Sequence, residues 1–395
     1  MKSLFRVHPT VLLMASAHMM VDGYGNIYAP LLPLLIPKLN LTLFMAGTLT
    51  MLFQLAASVA QLGFGHLADH WRPRTLIMLG PVVSVTVLSL IGLAPSVGVL
   101  AIVLMVGGLG GAAFHPPAAA LAHRLGGDRP GRAMSVHIAG GNLGFALGPL
   151  LFAPAAQYLG LQWTPALAIP GLIVVAFFLS RVPNVTLHDS DDVRRGVGAL
   201  GPHARTLSFL YAIVVLRTLT SLAYATYVPV MLTARGLSLT EAGAIVSAYL
   251  LAGGAGGLLG GPAADRYGAR PVIAWSLALS APLLIAAPWT SGWTFAILLA
   301  IGGFFLQASL PVNVIVGQSL VPESAATVSS LMMGFGWGTG GVAVPLIGAL
   351  ADRFGIAPAL TVLGLVPLVG AALAMPLPAH AGLARRGGVR SLEER

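Results

Sequence analysis

The chain has 395 residues, 56% of them hydrophobic and 8% charged, with a net charge of +9 and no cysteine. Soluble domains carry about 25% charged residues, so this composition excludes an ordinary soluble enzyme, and the missing cysteines exclude disulfide and thiolate chemistry. The positive charge does not point to nucleic acid, because the basic residues sit in short loops without stacking aromatics interleaved on a solvated face.

A bilayer-spanning helix takes about 20 apolar residues, and such stretches follow one another along the chain. Hydropathy predicts helices over 11–36, 43–65, 75–94, 97–122, 133–156 and 164–181, then over 206–232, 240–261, 272–289, 293–319, 325–348 and 357–377. The predicted fold class is all-α and polytopic, with twelve transmembrane helices in a lipid bilayer. No short apolar region with a cleavage site opens the chain, so the first segment is expected to stay in the membrane. With both termini placed in the cytoplasm, seventeen of the 21 basic residues are cytoplasmic; Lys38, Arg235 and Arg353 lie outside, and Arg217 falls within a helix. This is the positive-inside pattern, and it predicts a multi-pass protein of the cell inner (plasma) membrane.

The first segment contains AHMMVDGYG, with His18 and Asp22 amid apolar residues. An aspartate at the centre of a spanning helix costs about 2.5–3.5 kcal/mol on insertion scales, so a partner or a function that offsets this cost is expected. His18, Asp22 and Asn26 are spaced i, i+4, i+8 and share one helical face. In the seventh segment Arg217 opens a second polar stripe with Thr220, Tyr224 and Tyr227. A carboxylate moved between wet and dry surroundings changes its proton affinity. Asp22 is therefore expected to carry a coupling proton, which His18 would share or relay. Arg217 is expected to hold an anionic substrate, or to neutralise Asp22 when the site is empty. The alternative is a static pair, Asp22–Arg217 or Asp22–His18, that fixes helix packing.

Other polar positions are candidate substrate contacts. Gln54 leads a stripe with Ser58 and Gln61. His115 precedes Pro116 and Pro117, which are expected to break the fourth helix. Gln307 and Asn313 flank Pro311, and Tyr24, Tyr224 and Tyr227 are candidate pocket walls. Each of these groups can instead hydrogen-bond a neighbouring helix or, for tyrosine, anchor at the interface.

The chain also repeats itself. GHLADHWRPRTL begins at Gly65 and GPAADRYGARPV at Gly261; Gly65 pairs with Gly261, Asp69 with Asp265 and Arg74 with Arg270, always 196 apart. The same offset takes Pro149, in GNLGFALGPLL, to Pro345, in GTGGVAVPLIG. Two six-helix halves are predicted, 1–180 and 206–380, joined by a charged cytoplasmic linker, 181–205, and followed by a basic tail, 381–395. Parallel repeats place a substrate site near the midplane between the halves. Asp69, Arg74, Asp265, Arg266 and Arg270 are expected to latch the cytoplasmic side, and Gly144, Gly148 and Pro149 to assist the rocking.

The repeated loop resembles the signature loop of the major facilitator superfamily, although His70 stands where arginine is usual and Arg72 where glycine is. His18 to Asp22, FQLAAS at 53–58, FHPPAAALA at 114–122, GGNLGFALGPLL at 140–151 and GGPAADRYGARPVI at 260–273 resemble the fosmidomycin-resistance family of drug exporters. The resemblance implies a proton-coupled antiporter exporting small drugs, of which fosmidomycin, a phosphonate, would suit Arg217. An importer or exchanger of a small organic anion is the alternative. A copper carrier built on His18, Met19, Met20, His115, Met134 and His137 is disfavoured, since scattered methionines are usually core filler. A non-transporting sensor would need a soluble output domain. No nucleotide loop, zinc spacing or nucleophile–base pair is present, so no enzyme, cofactor or resident metal is expected. The expected partners are protons and a small-molecule substrate, and twelve helices around one cavity are expected to work as a monomer.

Overall fold

In the computed structural model, residues 8–70, 73–127, 130–179, 181–182 and 198–378 are described. Most of the expected linker and the basic tail lie outside these residues, as does the side chain of Asp69. The described chain is helical, without strands. The N-terminal half comprises α1 (Pro9–Gly25), α2 (Tyr28–Leu39), α3 (Leu43–His70), α4 (Pro73–Leu88), α5 (Val97–Leu125), α6 (Pro130–Leu159) and α7 (Ala168–Leu179). The C-terminal half comprises α8 (Ala204–Ala234), α9 (Leu239–Tyr267), α10 (Ala269–Ala286), α11 (Gly292–Leu320), α12 (Ala325–Ser329), α13 (Gly336–Val342), α14 (Val344–Phe354), α15 (Ile356–Gly364) and α16 (Val366–Ala374).

Among the described residues eleven helical stretches are long and apolar enough to cross a membrane; α1 and α2, divided at Asn26, supply the twelfth span. The division has a local cause. Pro30 lacks the N–H that would bond the Asn26 carbonyl, and its ring crowds that same carbonyl. The expected break at Pro116 and Pro117 does not occur, and α5 runs unbroken from Val97 to Leu125. Spanning helices tolerate proline where neighbouring helices take up the freed carbonyls. The eleventh span, Thr327–Phe354, instead contains a π-helical turn at Ser330–Phe335 and a step at Ala343, two residues before Pro345.

Local signals explain several starts. Ser238 and Glu241 form a reciprocal capping box at α9, the S-x-x-E signature, and Ser96 caps α5 through the Val99 N–H. Large apolar side chains such as Ile173, Leu258 and Leu346 are exposed, as a lipid-facing surface requires.

The repeat is visible in the packing. In the first half α1 lies against α6, while α3 and α4 lie against α5; in the second, α8 lies against α13, while α9 and α10 lie against α11. The halves meet through α3 with α13 and α14, α6 with α9, and α2 with α8. Gly144 shows why α1 and α6 lie so close: a Cβ there would fall on the Met19 carbonyl oxygen. Gly148 likewise faces the Gly23 carbonyl. These two glycines pack α1 onto α6 within one half, while the Pro149 carbonyl faces Gly243 of the other half.

Candidate functional site

Asp22 sits thirteen residues after Pro9 in the first span, and Arg217 thirteen after Ala204 in the seventh. Both are therefore at mid-depth in their halves, but they do not meet. Among the described residues Asp22 pairs only with histidines: His18 Nε2 is 3.1 Å from Asp22 Oδ2 and His115 Nε2 is 3.4 Å from Oδ1. Of the two alternative pairings, the structure has Asp22–His18 and not Asp22–Arg217, and the contacts of both charges stay within their own half.

The histidine cluster draws on three helices. His18 and Asp22 are one turn apart on α1. His115 reaches them from α5, and α6 adds His137, whose ring stacks on His18 with centroids 4.3 Å apart. Gly141, also on α6, leaves the room: a Cβ there would lie 2.5 Å from both Asp22 Oδ2 and His18 Nε2. The side chains of Asp22 and His115 remain 25% and 26% exposed, so the carboxylate is not sealed inside the half.

One hydrogen bond fixes the chemistry. His18 Nδ1 lies 2.9 Å from the backbone carbonyl of His137. A carbonyl only accepts, so Nδ1 carries the hydrogen. In a neutral His18 the Nε2 lone pair would then point at a carboxylate oxygen, acceptor against acceptor. A proton on that axis, on either partner, turns the repulsion into a charge-assisted hydrogen bond. The ligand atoms of His18, Asp22 and His115 all lie within 4.8 Å of one another, so one small cation is within reach of all three.

Arg217 has a different setting. It is 1% exposed; Nη1 donates to Gln307 Oε1 and Nη2 to Thr218 Oγ1 at 2.8 Å. Gln307 in turn donates to Ser221 Oγ at 3.1 Å. The guanidinium carbon lies 5.8 Å from the centre of the Trp337 ring, and Nε is buried without a partner. Among the described residues no carboxylate pairs with it. Trp337 touches Phe145 of the other half, ring centres 6.0 Å apart. Asn26 donates to the Phe145 carbonyl at 2.7 Å, tying α1 to α6 beside that contact.

The remaining sequence candidates are dispersed. Gln54 packs against Gly341 and Ser58 against Gly338, so their stripe faces the other half. Asn313 is fully buried with both amide atoms unpartnered. The three tyrosines spend their hydroxyls on backbone: Tyr24 on the Leu167 carbonyl, Tyr224 on Leu284 and Leu360, Tyr227 on Leu43 and Val344. Tyr224 and Tyr227 are 1% and 0% exposed, and as placed they act as ties between helices. Of the expected latch residues, Asp265 and Arg266 are exposed, Arg266 lying over the Tyr267 ring, while Arg74 and Arg270 are half-buried at the starts of α4 and α10. Trp337 is not among the sequence candidates; a tryptophan in mid-span rather than at an interface is the available signal.

The sequence model of the Major Facilitator Superfamily matches residues 14–216 and 209–390, one copy to each half. The chain belongs to the major facilitator superfamily. It is a polytopic membrane transporter and not an enzyme. It is 31% identical over 391 residues, 94% of this chain and 93% of the relative, to YfnC of Bacillus subtilis (strain 168), described as an uncharacterized MFS-type transporter. It is 29% identical over 364 residues, 90% of this chain and 89% of the relative, to the fosmidomycin resistance protein of Escherichia coli (strain K12). The fold resembles a bacterial homolog of the human lysosomal transporter Spinster, in an inward-facing and occupied conformation, with a TM-score of 0.78 at 17% identity over 92% of this chain and 95% of that one. It also resembles the nucleoside transporter NupG, with a TM-score of 0.74 at 14% identity over 93% of this chain and 98% of that one.

Proposed function

We propose that the chain is a proton-coupled antiporter of the inner membrane, with both termini cytoplasmic, that exports small toxic compounds, anionic drugs of the fosmidomycin type among them, by alternating access. The observation that carries this reading is the His18–Asp22 contact: with Nδ1 committed to the His137 carbonyl, the 3.1 Å pair needs a proton between its atoms. A partly exposed carboxylate ringed by histidines is suited to taking up and releasing that proton as its water access changes. Arg217, charged and without a carboxylate partner among the described residues, supplies the positive site for an anion. The full-length likeness to the fosmidomycin resistance protein favours export.

The test is fosmidomycin transport in proteoliposomes under an imposed pH gradient, with wild type and Asp22→Asn side by side. Asp22→Asn keeps the shape and removes the titrating group, so gradient-driven transport should be lost while exchange of labelled for unlabelled drug persists. Undiminished coupling in Asp22→Asn would remove the reading. Drug accumulation down the proton gradient, in place of extrusion against it, would favour import.

A further inference from the structure

We propose that Asp352 and Gln157 are a pair of latches, related by the internal repeat, that hold the two halves shut at the end of the bundle where α3 and α9 begin. Asp352, in the last turn of α14, accepts from the Leu43 N–H at Oδ1 and from the Phe44 N–H at Oδ2, both at 2.8 Å. Those are the first N–H groups of α3, in the opposite half. Gln157, near the end of α6, accepts from the Thr240 N–H of α9 at 2.8 Å, again across the halves. Phe44 and Thr240 are 196 residues apart, and Gln157 and Asp352 are 195 apart. The first N–H groups of a helix lack partners within it and form the positive end of its dipole, so each half caps a helix of the other.

Beneath the caps the backbones touch by the same symmetry. A Cβ at Gly47 would lie 2.8 Å from Pro345 Cα, and one at Gly243 would lie 2.7 Å from the Pro149 carbonyl oxygen. Both glycines and both prolines obey the 196 offset. The two caps are unequal. Asp352 is charged and accepts two bonds, whereas Gln157 is neutral and accepts one, so the α3–α14 seam is the firmer of the two. Neither bond can persist when this end opens, because the donors and acceptors belong to different halves. The latches therefore bias the carrier toward the state closed here, and removing them shifts it toward the state open here.

The absence of cysteine allows spin labels at Tyr158→Cys and Trp293→Cys without further changes. Both positions are exposed, in opposite halves at this end, and the full chain in nanodiscs can be read by double electron–electron resonance. Asp352→Asn should raise the long-distance population relative to the short one about tenfold, the worth of a charge-assisted contact. Gln157→Ala should move it in the same direction by less. Asp352 and Gln157 are exposed, so neither change disturbs the interior of a half. A distance distribution in Asp352→Asn that matches the parent, or a shift toward shorter distances, would overturn the assignment.

Discussion

Gly141→Ala tests the histidine–aspartate cluster without touching a titratable group. The new methyl would sit 2.5 Å from Asp22 Oδ2 and from His18 Nε2. Each atom must withdraw by about 1 Å to reach an ordinary contact distance, a displacement that strains both the 3.1 Å pair and the 2.9 Å contact of His18 Nδ1 with the His137 carbonyl. A hydrogen bond to a charged group contributes about 1.5–3 kcal/mol, and each 1.4 kcal/mol is about tenfold in an equilibrium. The protonated, paired cluster should therefore become about ten- to a hundredfold rarer at a given pH. Replacing a helical glycine by alanine returns about 0.5–1 kcal/mol of backbone stability, so the fold should survive. In proteoliposomes the pH-gradient-driven accumulation of fosmidomycin should fall by that factor. Counterflow without a gradient, which needs no net proton movement, should stay within about twofold. A folded Gly141→Ala protein with wild-type gradient-driven transport would refute the claim that the proton sits between His18 and Asp22.

Two further changes separate substrate contact from packing. Arg217→Lys keeps the charge but loses the planar fork that spans Gln307 Oε1 and Thr218 Oγ1. The KM for an anionic drug should rise about tenfold, since an ammonium does not replace a two-pronged guanidinium, and an unchanged KM would discount Arg217 as the anion contact. Tyr224→Phe strips one hydroxyl from two buried carbonyls, Leu284 and Leu360. It should destabilise the C-terminal half by about 1–3 kcal/mol, seen as earlier thermal unfolding, with KM untouched; a KM effect at full stability would return Tyr224 to the pocket wall.

Hydropathy makes the spans legible because lipid imposes one requirement on every residue that faces it, and that requirement is local. The interruptions are less so. Pro116 and Pro117 look like a break, yet α5 passes through them, while the first span divides at Asn26, four residues before Pro30. Whether a proline breaks a spanning helix depends on what neighbours offer its freed carbonyls, which the sequence does not display. The site follows the same rule. The His18–Asp22 contact is readable as an i, i+4 pair on one helix. The arrival of His115 from α5, the carbonyl of His137 that fixes the tautomer, and the space left by Gly141 all depend on how three helices cross. Arg217 is readable as a buried charge, whereas its partner Gln307 and its neighbour Trp337 come from distant spans. The 196-residue offset carries furthest: it relates Pro149 to Pro345, and the structure adds their glycine partners, Gly243 and Gly47, at the same offset.

Keeping the two mid-depth charges in separate halves has an energetic consequence. Had Asp22 paired with Arg217, every transport cycle would have had to pull apart an ion pair in a poorly solvated interior, where breaking such a pair costs about 3–5 kcal/mol. Here the carboxylate is held by His18 and His115, both of its own half. The guanidinium is held by Gln307 and Thr218, both of its own half. The halves can rock without separating these two mid-depth charges from their partners among the described residues. The polar contacts that do cross between them include the Tyr227 hydroxyl on the Leu43 carbonyl at 3.2 Å and the helix caps from Asp352 and Gln157. Each such bond is modest alone, about 0.5–3 kcal/mol, and water can replace it as the end opens. A carrier built this way can keep a carboxylate and a guanidinium at mid-depth and still exchange between its two faces.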